Sequence, residues 1–170
     1  MNTNITIRNE QPTEIDTITQ LTEAAFKTKA HSSLTEQFIV NALRHADQLT
    51  ISLVAVVGDA IVGHVAISPV TISSGANGWY GLGPISVSPE HQGQGIGSKL
   101  VKASLTELRR LGGLGCVLLG NPAYYGRFGF KAHPGLVLTG VPPEYFQALS
   151  FGSELPSGTV SYHEAFDATC

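Results

Sequence analysis

Apolar residues recur along this chain in two periods, and each change of period marks an element. From Ile5 to Arg8 they alternate, as in a first strand. Pro12-Thr13 then opens a helix with Ile15, Ile18, Leu21, Ala25 and Phe26 on one face. Ser33 and Glu36 have capping-box spacing and predict the start of a second helix carrying Leu34, Phe38, Ala42 and Leu43. Ile51 to Val57 and Ala60 to Val70 are β-rich runs on either side of Gly58-Asp59, so a hairpin is expected. Trp79 to Val87 reads as another strand. Its Gly83-Pro84 step signals either a bulge with a missing ladder bond or an irregular strand. Ile96, Leu100, Val101, Leu105, Leu108 and Leu111 fall mostly at steps of three and four, predicting a helix from about Gly95 to Leu111 that ends at Gly112-Gly113. Pro134 to Ser157 carries Pro142-Pro143 and Pro156, with a short helix expected near Glu144 to Leu149 and a closing strand over Gly158 to Phe166. The order is strand, two helices, three strands, helix, strand, short helix, strands, which is a mixed α/β chain.

The junction between the fourth strand, Trp79 to Val87, and the long helix carries the first candidate chemistry. In Val87-Ser88-Pro89-Glu90-His91-Gln92-Gly93-Gln94-Gly95-Ile96-Gly97-Ser98, glycines let the backbone approach a ligand, and the first N–H groups of the helix have no internal partner. A pyrophosphate suits such a site, although a glycine loop can also serve only as a tight turn. The spacing is neither a dinucleotide fingerprint, because Ser98 stands where its third glycine belongs, nor a Walker loop, because Lys99 lies between Ser98 and Leu100. The string Gln92-x-x-Gly95-x-Gly97, introduced by Val87-Ser88-Pro89, resembles the acetyl-coenzyme A loop of the GNAT superfamily of N-acetyltransferases, in its small bacterial form. The order of elements agrees with that resemblance over nearly the whole chain. The resemblance implies a mostly antiparallel central sheet flanked by helices, with a splayed strand pair for the cofactor. It places the backbone of Ile85, Ser86 and Val87 against the pantetheine arm, and Gln92, Gly93, Gln94, Gly95, Ile96, Gly97 and Ser98 around the pyrophosphate.

A second constellation is Asn121-Pro122-Ala123-Tyr124-Tyr125-Gly126-Arg127-Phe128-Gly129-Phe130. Its Tyr125 with Gly129-Phe130 is similar to the Tyr-x-x-x-Gly-Phe string that places a phenol beside the thioester sulfur in the same superfamily. That likeness implies Tyr125 as the general acid. An ordinary phenol, with a pKa of about 10, is protonated at neutral pH and able to supply a departing thiolate; packing is the competing role for such a ring. Tyr124 is then expected to turn into packing. Asn121 either bonds the pantetheine or caps the short helix. The strand end that carries a glutamate base in many relatives reads Gly81-Leu82-Gly83 here, so no base is evident. Glu23 and His64 each have a structural alternative, and Glu36 fits the capping box. Lys99, Lys102 and Arg127 are cations within reach of coenzyme phosphates or simply solvated.

Composition narrows the remaining classes. The chain has 170 residues, 42% hydrophobic, with no linker or repeat, so one domain over 1–170 is expected. A net charge of −3, with Arg109-Arg110 the only basic pair, argues against nucleic acid. Met1-Asn2-Thr3-Asn4 lacks the features of a signal peptide and no apolar run is long enough to span a membrane, so a cytoplasmic protein is expected. Cys116 sits in an apolar run as a buried residue, and Cys170 is terminal, which is no disulfide framework. Six histidines without helical pairing predict no metal. The expected partners are acetyl-CoA and an amine acceptor, and an exposed C-terminal strand could pair across a homodimer. Two functions follow: acetyl transfer from acetyl-CoA to a primary amine of a small molecule or protein, or a non-catalytic acyl-CoA-binding module on the same fold.

Overall fold

The computed structural model describes residues 4–29 and 32–170; the reading of the first residues as leaderless, and His31, fall outside or mostly outside them. Strand β1 is Ile5–Asn9, helix α1 Ile15–Lys27, α2 Glu36–His45, and strands β2, β3 and β4 are Ile51–Val57, Ala60–Ile72 and Trp79–Val87. Helix α3 is Ile96–Arg110, β5 Gly115–Leu119 and α4 the single turn Pro122–Tyr125. Then come β6 Leu136–Val137, β7 Phe146–Ser150 and β8 Gly158–Tyr162.

The strands pair in the order β1-β2-β3-β4-β5-β7, while β8 pairs with the far end of β3 and with β6. The pairings are antiparallel except β4 with β5 and β6 with β8. The mixed, mostly antiparallel sheet predicted from the sequence is therefore present. So is the splayed pair. Strands β4 and β5 pair only through Trp79↔Gly115, Tyr80↔Cys116 and Gly81↔Val117, after which they part. The register of β3 against β4 shifts between Val65↔Ile85 and Ile67↔Leu82, so the Gly83-Pro84 step lies in a bulge as the sequence signalled.

Strand β2 is buried along most of its length because helices cover both of its faces. Leu53, Ala55, Val65 and Ile67 pack with Ile96, Leu100 and Leu108 of α3. On the opposite face Val54 packs with Ile18 of α1 and Val40 of α2. Helix α3 comes close to β3 because Gly63 has no side chain: a Cβ there would stand 2.9 Å from Leu100 Cδ1.

Two local expectations are corrected. Ser33 does not cap α2; Thr35 is the residue before the helix, and Leu34 turns the chain with φ of 62°. The Ser32 and Ser33 hydroxyls both donate to the Glu36 carboxylate, at 2.6 and 3.2 Å, so the serine–glutamate pairing joins side chains without satisfying helix N–H groups. The expected helix near Glu144 is only a 3₁₀ turn, Pro143–Tyr145, followed by β7. Phe146 and Ala148 bury against Trp79 and Val117, and the β7 backbone pairs with β5 from Gly115↔Ser150 to Leu119↔Phe146. Tertiary pairing here overrides the local pattern. The closing strand also stops at Tyr162, and Glu164–Asp167 form a turn that packs Ala165 against Ile39 and Leu43 of α2. Thr159 pairs with β6 and Ser161 with β3, so β8 is engaged within its own sheet.

A polar chain interrupts the helix-covered face of α1 and α2. Arg44 holds Glu10 through Nε at 3.0 Å and Nη2 at 2.7 Å. Ser52 Oγ donates to the same carboxylate and lies 2.8 Å from Nε2 of the fully buried His64. Burial alone would raise the Glu10 carboxyl, but the hydrogen bonds from Arg44 and Ser52 outweigh it and hold it below the usual range. Burial pushes the His64 imidazole down to about 4 against the opposing attraction of Glu10; Arg44 adds to the lowering.

A histidine whose folded pKa is depressed stabilises the protein above its unfolded value and loses that contribution as pH falls. Between an unfolded value of 6.5 and a folded value of about 4, His64 is expected to remove roughly 3 kcal/mol of stability. Denaturant unfolding at pH 7 and pH 4 should show this loss, and a His64→Gln variant should show a shallower pH dependence. Equal slopes for the two proteins would refute a buried, neutral His64.

Candidate active site

The glycine segment is built as an anion cradle. At the end of β4 the Ser88 N–H donates to Val62 O at 2.8 Å, and Gln92 Nε2 donates to Val87 O at 3.1 Å, tying the loop back to the strand. Gly93 and Gly95 adopt φ of 79° and 82°, where a side chain would be strained, and Gly95 is the residue that starts α3. The first bond of the helix runs from Lys99 N–H to Gly95 O at 3.1 Å. The N–H groups of Ile96, Gly97 and Ser98 therefore have no acceptor within the helix, and no acidic residue stands in its first turn. Three bare donors at the positive end of a fifteen-residue helix suit a phosphate group.

These donors open into a cleft of about 500 Å³. Ile85, Ser86 and Val87 form its β4 side, where the splay from β5 leaves the strand without a neighbour. Gln92, Gly93, Gly95, Ile96, Gly97 and Ser98 form the loop side, and Tyr125 belongs to the same wall. Gln94 and Asn121 are not among the lining residues. The Asn121 side chain accepts from Ala123 N–H at 2.9 Å, capping α4, which is one of the two roles its position allowed. The first N-terminal helix, expected from the sequence as a wall of the acceptor pocket, does border the cleft, through Ala25 and Phe26 of α1 and Lys29 just beyond it, whereas the Ser68 to Gly78 turn and the Pro134 to Ser157 segment, expected as further walls, are not among its lining residues. Sequence reasoning missed His91 and Tyr124. Tyr124 packs its ring edge-on against Tyr125 and Phe128, as expected, but its hydroxyl also lies 3.1 Å from Ser98 Oγ, at the start of α3. The signal for this was Gly97, where a Cβ would stand 3.1 Å from that hydroxyl. Arg127 places its guanidinium 4.5 Å from the Tyr124 ring centroid, so this cation is fixed at the cleft.

Tyr125 is held from several sides. Its ring meets those of Tyr124 and Phe130 edge-on, with centroids 4.9 and 6.2 Å away. A Cβ at Gly120 would be 2.4 Å from Tyr125 Cε2, so the ring rests against bare backbone. Burial, with Tyr124 nearby, pushes the Tyr125 phenol up to about 12, and it stays protonated at neutral pH. The lining residues include no carboxylate. Glu23 and Lys99 are exposed, Glu36 is bonded to Ser32 and Ser33, and His64 lies behind the wall. Cys116 is fully buried, and burial raises its thiol far above the ordinary value. Among the described residues no cluster of three or more His, Cys, Asp or Glu could hold a metal, and no helix is long and apolar enough to cross a membrane.

Comparison with known proteins adds a family, a relative and two solved structures. Residues 15–130 match the model of the Acetyltransferase (GNAT) family. Over 168 residues the chain is 34% identical to the uncharacterized N-acetyltransferase YhbS of Escherichia coli (strain K12), a match covering 95% of this chain and 98% of YhbS. Among solved structures, a GNAT family acetyltransferase from Brucella melitensis in complex with acetyl-CoA is 49% identical with a TM-score of 0.87, covering 98% of this chain and 100% of that one. YhbS from Escherichia coli in complex with CoA is 32% identical in the same comparison with a TM-score of 0.89, covering 99% and 94% of the two chains.

The clearance at Gly120 yields a direct test of how Tyr125 is held. Gly120→Ala should force the ring to move and cost about 1–3 kcal/mol in equilibrium unfolding. Unchanged stability would show that the ring has room to spare.

Proposed function

The chain belongs to the GNAT acetyltransferase family, and from that membership we propose that it binds acetyl-CoA in the cleft described above and transfers the acetyl group to a primary amine of a small molecule or protein. The observation that carries this reading is the continuity of three features in one cleft: bare helix donors at one end, an unpaired stretch of β4 along the side, and a protonated phenol in the wall. The N–H groups of Ile96, Gly97 and Ser98 would receive the pyrophosphate, with Arg127 a fixed cation nearby. The backbone of Ile85 to Val87, freed from β5, would bond the pantetheine amides as a surrogate strand. Acetyl-CoA supplies an acyl group activated as a thioester. No helix long and apolar enough for a membrane is described, and we assign the protein to the cytoplasm.

The proton inventory defines the role of Tyr125. A phenol at about 12 is a weaker acid than a thiol at about 8.5, so complete transfer to a thiolate would be uphill by roughly 5 kcal/mol. Tyr125 therefore acts first as a hydrogen-bond donor to the sulfur as its charge develops. The acceptor amine, which must lose its own protons, makes good the proton that the departing sulfur takes. A donor that cannot ionise at working pH also cannot turn into a repelling anion beside that sulfur.

Calorimetric titration with acetyl-CoA should give binding at micromolar affinity or better, lost by at least tenfold in Gly95→Val because a side chain is strained at this φ. Tyr125→Phe should bind acetyl-CoA as the parent does but release thiol about 10²-fold more slowly in the presence of amine. Full turnover by Tyr125→Phe would remove the phenol from the mechanism. Absence of acetyl-CoA binding by the parent would overturn the proposed function itself.

A further inference from the structure

The cleft wall holds no carboxylate, yet an amine that attacks a thioester must give up a proton. The polar chain behind β4 offers a destination. Ser52 Oγ donates its only hydrogen to Glu10, so it can only accept from His64, and the 2.8 Å contact places the imidazole proton on Nε2. His64 Nδ1 is then a bare lone pair, buried and without a hydrogen-bond partner. Directly opposite on β4 stands Ser86, in register with His64 and hence on the same face, at a Cβ separation of about 5 Å for such a pair. The Ser86 hydroxyl is likewise buried without a partner, and Ser86 is part of the cleft wall. Two orphaned groups of complementary type, one donor and one acceptor, thus belong to residues paired in register on one face of the sheet, with no hydrogen bond formed between them. Leaving both unmet costs about 1–3 kcal/mol each, which a direct or single-water hydrogen bond between them would recover.

We propose that Ser86 and His64 accept the proton of the attacking amine, with Ser52 and Glu10 fixing the tautomer and balancing the charge. This rests on the acetyltransferase reading given above. As the N–C bond forms, the amine nitrogen gives a proton to Ser86 Oγ while Ser86 gives its own to His64 Nδ1. When the C–S bond breaks, the same proton returns through Ser86 to the departing thiolate, which Tyr125 meanwhile hydrogen-bonds, and His64 is restored in its starting tautomer. No proton is lost or gained by the protein. The Ser86 hydroxyl is closed off in the wall, and it meets substrate by turning about its Cα–Cβ bond toward the cleft; His64, Ser52 and Glu10 act through it as positioning residues.

The surroundings support this use of His64. Charged groups acting on it are Glu10 at the end of β1 and Arg44 of α2. Helix α1 turns only Ile18, Leu21, Thr22 and Ala25 inward, β2 presents Ser52 and Val54, and β4 presents Ser86. Its depressed pKa keeps the nitrogen free at neutral pH, and an amine that has already attacked a carbonyl is far more acidic than a free ammonium ion.

The test combines a spectroscopic measurement with a mutant cycle. In ¹⁵N NMR of the parent protein, His64 should be the Nε2–H tautomer, and Ser86→Ala should shift its Nδ1 resonance; an Nδ1–H tautomer, or an unmoved resonance, would overturn the proposal without any turnover. With acetyl-CoA and n-butylamine, Ser86→Ala should lower kcat about 10²-fold and Ser52→Ala, which lies outside the cleft, about tenfold at unchanged acetyl-CoA affinity. The double variant should be no slower than Ser86→Ala, because both changes break one path; additive losses from these separate strands would mark independent structural damage and sink the idea. If the parent binds acetyl-CoA but acetylates no amine, the transfer reading fails on its own, and the NMR result still decides the hydrogen-bonded geometry.

Discussion

Everything proposed for this molecule depends on where β4 stops pairing with β5. The two strands run together for three residue pairs and then separate, so Leu82 to Val87 lack a neighbour on one side. Unpaired backbone donors and acceptors in a protein interior are costly unless something satisfies them. Here the gap opens toward the start of α3, whose own first N–H groups are also unmatched. One cleft thus collects two sets of unsatisfied backbone groups, and an extended ligand with a charged end satisfies both.

What keeps the gap open is packing. Trp79 fills the closed end, its ring so near Gly115 that a Cβ there would lie 2.4 Å away. Beyond β5, Tyr125 of α4 and the following Phe128 and Phe130 stack against the core that includes α3. The strands are thus paired at one end and apart at the other, with these rings packed on the core at the open end. Since these rings include the phenol proposed to meet the sulfur, the groups that shape the cleft and those that would act in it are partly the same.

The sequence made the backbone-built half of this site legible. Gly93 and Gly95 stand where φ is positive, and Gly97 where a tyrosine hydroxyl approaches, so the constraint is written directly as residue type. The bulge at Gly83-Pro84 was readable for the same reason. Side-chain geometry was not. Tyr124 and Tyr125 are adjacent and identical in type, and the turn of about 100° between neighbours on α4 sends one hydroxyl to Ser98 and the other ring toward Gly120. The β7 segment misled because Pro142-Pro143 and a polar start suggest a helix, whereas the need of β5 for a partner decides the outcome. His64 could be placed on a strand, but its link to Glu10, distant in sequence, depends on β1, β2 and β3 lying side by side.

This contrast explains why family membership carries over to one substrate and not to the other. The proposed acetyl-CoA half uses main-chain donors, glycine conformations and a strand gap, which tolerate wide change in side chains at 34% identity to a relative. Ala25 and Phe26 of α1 and Lys29 just beyond it also line the cleft, and what they could recognise rests on side chains. Lys29 would repel an acceptor carrying a full positive charge near it, while Phe26 favours an apolar body. An amine that approaches this wall therefore gains by entering neutral, or with a compensating carboxylate, and gives up its last proton inside. On the proposed reading, the acceptor class would follow from that short edge and from the proposed proton path rather than from the fold.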